Sequence, residues 1–196
     1  MALILGVRFA TYGRSSPIIV AEKVFRTEYG RYGDESKSYE VHIRHYEQLD
    51  NTLLFSDVAD RIEEIITKGK LKGVKILADY TEIGKAAIDE LREKRLLVTP
   101  LTVVDSEKET VNNNGGYNVP VRDMVAISQR LLLKKRLKFA SGIEGAETLA
   151  DEVGATYRDD NQYSDAALLL CLVTWWADRF IAEYKRSIKI PRAGIL

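Results

Sequence analysis

The run Val74-Lys75-Ile76-Leu77-Ala78-Asp79, followed by Tyr80-Thr81-Glu82-Ile83-Gly84 and then by Lys85 to Leu91, decides the fold. A short apolar run closed by a carboxylate, then a polar turn, then apolar residues at helical spacing, is how a strand feeds a helix in an α/β sheet. Asp79 is thereby placed at the carboxyl end of a strand. Ligands collect at that lip in open α/β sheets, so an acid there can hold a cation or polarise water. The competing local role is a cap on the following helix, a task Asp performs well. A second carboxylate, Asp165, opens a long apolar helix far downstream and favours the functional role.

Towards the amino terminus, Leu3 to Ala10 and Pro17 to Phe25 are apolar, β-branched runs separated by turn residues Thr11 to Ser16, which predicts an antiparallel hairpin. Gly30 to Ser38 reads as a polar loop, and Glu40 to Tyr46 alternates polar and apolar residues as a strand with one wet face. Three strands therefore precede the first helix, whose Val58, Ile62, Ile65 and Ile66 recur at helical spacing, with acids in front, lysines behind and Gly69 as a stop.

Towards the carboxyl terminus, Leu96 to Val104 is a further strand, and Pro100 within it predicts a strand end or a sheet edge. Asn112 to Asn118 is the tip of a hairpin or a flap. Pro120 fits the first turn of a helix with apolar positions at Val121, Met124, Val125, Ile127, Leu131 and Leu132. That helix runs into Lys134-Lys135-Arg136, with Lys138 just beyond. Such a cluster can bind phosphate, and it equally suits the negative end of the helix dipole. Ile143 to Val153 predicts a short helix, and Thr156 to Ser164 is a polar loop carrying Asp159 and Asp160. Asp165 to Tyr184 is apolar on most faces, so Trp175 and Trp176 read as packing.

Composition bounds the answer without choosing a function. The chain has 196 residues, 45% hydrophobic and 30% charged, which fits one domain spanning 1–196 with a sizeable core. Formal net charge is zero, so a polyanion site must come from local clustering. The single cysteine, Cys171, lies in an apolar run without a disulfide partner, which is compatible with a reducing compartment. No apolar stretch reaches membrane-spanning length, and the expectation is a cytoplasmic, soluble protein without a membrane partner. No G-x-x-x-x-G-K-[ST] loop occurs, which excludes ATP hydrolysis by that device. His42 and His45 are three apart on a predicted strand, hence on opposite faces, and cannot share a metal.

The predicted element order resembles the RNase H-like superfamily, and the chain is similar to the nuclease domain of phage large terminase subunits. Leu5-Gly6-Val7-Arg8-Phe9-Ala10 with Gly13-Arg14 resembles that family's first strand and turn, and Ile76 to Gly84 its second acidic strand. Val119-Pro120-Val121-Arg122-Asp123-Met124-Val125, continuing through Leu131-Leu132-Leu133 to Arg136-Leu137-Lys138-Phe139, resembles a further family segment. Ser164-Asp165-Ala166-Ala167-Leu168-Leu169-Leu170 resembles the closing helix. The resemblance implies an α/β, RNase H-like fold, a mixed central sheet whose first three strands are antiparallel, and helices on both faces. It implies DNA as partner and phosphodiester hydrolysis by Mg²⁺ or Mn²⁺, with Asp79 and Asp165 as catalytic metal ligands. Lys134, Lys135, Arg136 and Lys138 are the candidate nucleic-acid contacts.

One position departs from the pattern: the first family acid belongs two residues after Gly6, where Arg8 stands. A guanidinium cannot coordinate a cation and repels one. Glu82 replaces a small turn residue, and Glu82, Asp159 and Asp160 are the acids available to rebuild a one-metal site. Two expectations follow. One is a terminase-nuclease-like, metal-dependent endonuclease that needs a separate packaging ATPase. The other is a catalytically inactive relative, with Arg8 paired to Asp79, that serves as a DNA-binding or assembly module. A structural oligomer component whose acids are helix caps is the third class.

Overall fold

The computed structural model describes residues 2–9, 14–29, 35–50, 52–81, 85–113, 115–155 and 164–187. In chain order the elements are β1 (Ala2–Arg8), β2 (Ser16–Tyr29), β3 (Glu35–Leu49), α1 (Phe55–Lys68), β4 (Lys75–Asp79), α2 (Lys85–Glu93) and β5 (Val98–Val104). They continue as β6 (Thr110–Val111), β7 (Tyr117–Pro120), α3 (Val121–Leu133), β8 (Leu137–Phe139), α4 (Ala146–Ala155) and α5 (Asp165–Ser187). The described strands form one eight-stranded sheet in the order β6-β7-β5-β4-β1-β2-β3-β8. β1, β2 and β3 pair antiparallel in succession, whereas β1, β4, β5 and β7 pair parallel. This is the mixed sheet with an antiparallel opening that the sequence predicts.

Strand alternation builds two cores, one on each face. Leu5, Val7 and Phe9 of the β1 segment, Ile18 and Val20 of β2, and Ile76 and Ala78 of β4 join the buried residues of α1 and α2. Their odd-and-even counterparts Ile4, Ile19, Ala21 and Leu77 join those of α3, α4 and α5. A period of two on strands buried from both sides requires this split. Arg8 and Asp79 share the parity of Ile4 and Leu77, so both belong to the face that α5 covers.

α5 comes down close to β1 at Gly6. A Cβ there would lie 2.6 Å from Val173 Cγ2 and 3.0 Å from Leu169 Cδ1, so only glycine lets the helix approach this far. Ser164 starts the helix: its hydroxyl accepts from Ala167 N–H at 3.1 Å and donates to Glu152 Oε2 at 2.6 Å. Asp165, the next residue, is thereby delivered over the carboxyl ends of β1 and β4.

Four sequence expectations about the elements need correction. Pro100 does not mark an edge, because β5 lies between β4 and β7. The Leu101 carbonyl faces β4, where it accepts from Tyr80 N–H at 3.2 Å, so Pro100 turns its missing N–H towards β7. Pairing with β7 begins only at Leu101, and Gly116 lies against the Pro100 carbonyl, where a Cβ would fall 1.9 Å from the oxygen. Residues Glu35 to Ser38 are strand rather than loop, paired with Tyr29 to Arg26. Their charged and hydroxyl side chains conceal the alternation. The basic segment also contains a strand, β8, whose three residues include one buried side chain, Leu137. Pro120 closes β7 and caps α3 from outside the first turn.

Candidate functional site

The carboxyl ends of β1 and β4 meet at one register level, with Arg8 opposite Asp79 on adjacent parallel strands. Asp79 is 1% exposed and Arg8 5% exposed, which makes this a buried charge pair. Arg8 Nη1 donates to Asp79 Oδ2. Its Nε donates to Asp165 Oδ1 at 2.7 Å, so a single guanidinium joins the two carboxylates that the sequence singles out. Arg14 stands at the rim, 59% exposed, with Nη1 3.9 Å from Asp165 Oδ1.

The second oxygen of Asp79 is also committed. It accepts from Thr81 N–H at 3.0 Å and from the Thr81 hydroxyl, whose oxygen in turn accepts from Val103 N–H at 2.9 Å. Asp79 therefore organises the turn after β4 rather than capping α2, which begins six residues on at Lys85. The sequence reading missed Thr81. Its signal is Asp-x-Thr directly after a strand, a spacing that lets a carboxylate accept from the backbone two residues ahead.

The other predicted residues are not gathered here. Glu82, Asp159 and Asp160 lie outside the described residues. Leu137 of β8 is level with Val41, Lys23 and Ala2, whereas Arg8 is six residues further along β1. At roughly 3.3 Å per residue and 4.8 Å per strand, the basic segment is about 20 Å along and about 19 Å across from Asp79. Lys138 donates to Glu40 at 2.7 Å. The bulge between Val20 and Ala21 puts His42 and His45 on one face rather than on opposite faces. Each lies beside its own glutamate, His42 2.7 Å from Glu40 and His45 3.4 Å from Glu47.

Chemically, a divalent cation and the Arg8 guanidinium compete for the same oxygens. Two cationic centres about 4 Å apart repel by about 4 kcal/mol per unit charge at an effective dielectric of about 20. Among the described residues no three Asp, Glu, His or Cys side chains converge as a metal-binding group. The described residues at this lip do not fit a divalent metal. They make a cation-carboxylate cluster that is already internally neutralised.

The fold these elements define is RNase H-like. Among solved structures the chain is similar to the large terminase nuclease of thermophilic phage G20c, solved with bound zinc. The match has a TM-score of 0.52 and 15% identity, and covers 90% of this chain and 80% of that one. RuvC of Thermus thermophilus also matches, at a TM-score of 0.40 and 10% identity, over 93% of this chain and 96% of that one. No protein-family model matches the chain, and no curated protein matches it in sequence. No described helix is long and apolar enough to cross a membrane.

Proposed function

We propose that the chain is a non-hydrolytic nuclease-fold protein that engages DNA as a binding or assembly module on a terminase-nuclease-like scaffold. The observation that carries this reading is Arg8, bonded at once to Asp79 and Asp165. Two carboxylates at this lip can hold a hydrolytic metal only with oxygens free to coordinate, and here a guanidinium occupies one oxygen of each while Thr81 occupies the second of Asp79. The ion cluster keeps the architecture of the site while removing its Lewis acid. These 196 residues hold no phosphate loop, so in a role in DNA packaging the ATP hydrolysis would come from outside them.

The competing reading is Mg²⁺- or Mn²⁺-dependent endonuclease activity through Asp79 and Asp165. What favours it is their convergence on one lip in an RNase H-like fold. Conversion of supercoiled plasmid to nicked and linear forms in Mn²⁺ or Mg²⁺ separates the two. The proposal expects retarded plasmid without conversion. Conversion that is lost in both Asp79→Asn and Asp165→Asn would establish the endonuclease instead.

A further inference from the structure

The sheet has an open face away from the Arg8 cluster. Register places Glu22 opposite His42, Val24 opposite Glu40, Arg26 opposite Ser38, and His42 opposite Lys138, so these side chains share one surface of β2, β3 and β8. The acids lie low in it and the bases lie high. Arg26 is 52% exposed and Lys138 46% exposed above Glu40, whose side chain is 14% exposed. Arg44, 46% exposed, rises in the same way above Glu22 at 9%. Hydrogen bonds from Lys138, then His42, hold the Glu40 carboxyl down to about 2, so it stays ionised beneath the cations.

A chain of zero net charge thus presents a positive outer layer here. Lys134 and Lys135, both exposed, extend it around the turn between α3 and β8. Where α1 ends, the layer meets a cleft of about 300 Å³ in which Arg44, Arg61 and Lys68 surround apolar Val20, Ile65 and Leu71. Arg26, Arg44 and Lys138, rather than apolar side chains, form this layer, which fits a regular polyanion better than a protein surface. From this layering we infer that duplex DNA docks by its phosphates on the β2-β3-β8 face and the Lys134-Lys135 turn, and not across the carboxylate lip. The inference rests on the DNA-engaging reading and specifies where that engagement occurs.

Binding of a 30-base-pair duplex, followed by fluorescence anisotropy over a salt series, tests it in the full chain. Two exposed charge reversals, Lys134→Glu with Lys135→Glu, are predicted to weaken binding at least tenfold and to flatten the logarithmic salt slope by about 2. The same reversal at Lys108 and Arg122, exposed before β6 and at the start of α3, is predicted to change affinity less than threefold. Equal losses in both variants, or no loss in the first, would overturn the placement while leaving DNA binding intact. No binding by the unaltered chain would overturn the DNA-engaging reading itself. Capture by anionic vesicles without duplex binding would assign the layer to a lipid surface.

Discussion

Arg8 and Asp79 are cross-strand neighbours with almost no access to water, and Asp165 reaches the same guanidinium from the start of α5. Removing one member of such a cluster leaves an uncompensated buried charge. Arg8→Met is therefore predicted to cost about 3–5 kcal/mol in urea unfolding, and less in an Asp79→Asn background; a loss below about 1 kcal/mol contradicts the buried-pair assignment. Asp79 and Asp165 are legible in the sequence because a strand end and a helix start are local patterns. The pairing of Arg8 with Asp79 is legible only as an alternative, since it depends on the register of two strands 71 residues apart. Thr81 escapes because its role depends on where the β5 backbone lies.

At the scale of elements, α5 fixes the site. Gly6→Ala pushes a methyl into Val173 and Leu169 and lifts the helix that carries Asp165, Trp175 and Trp176. The predicted cost is about 1–3 kcal/mol with a change in tryptophan fluorescence, and an unchanged melting temperature contradicts the close approach. Lys23 anchors the far end of the same contact. It is buried, donates to the Ala177 carbonyl, and lies 4.9 Å from the Tyr39 ring centroid and 5.1 Å from that of Phe25.

Burial lowers the Lys23 pKa from 10.5 to about 8, and the nearby Asp178 carboxylate opposes the shift. Between these values the unfolded chain holds the extra proton, so stability rises with pH from about 8 towards 10. Tyr39 opposes any further rise. Burial and its bond to Asp178, which Arg130 also contacts, hold the phenol protonated when the unfolded chain would ionise above 10. Urea midpoints between pH 7.5 and 9.5 are predicted to rise in the unaltered chain and to stay flat in Lys23→Met. A matching rise in both places the titration elsewhere. Strand periodicity reveals both faces of β1 and β4, whereas β8 is hidden because pairing with β3, not its own pattern, defines it.

Over the whole molecule, the order of strands and helices and the opening hairpin follow from periodicity and turn chemistry, whereas the mixed sheet with helices on both faces follows from the family resemblance. The distribution of charge does not. The basic residues cluster in sequence, yet only the strand register shows that they stand six residues along the sheet from the acids. A nuclease-fold molecule organised this way separates a neutralised lip from a positive face. The most direct test of the neutralised lip is Mn²⁺ binding followed by electron paramagnetic resonance, comparing the unaltered chain with Arg8→Asp and Asp79→Asn. The prediction is no stoichiometric site in the unaltered chain and a new one in Arg8→Asp, where a third carboxylate replaces the guanidinium. Stoichiometric Mn²⁺ binding by the unaltered chain that disappears in Asp79→Asn would contradict it.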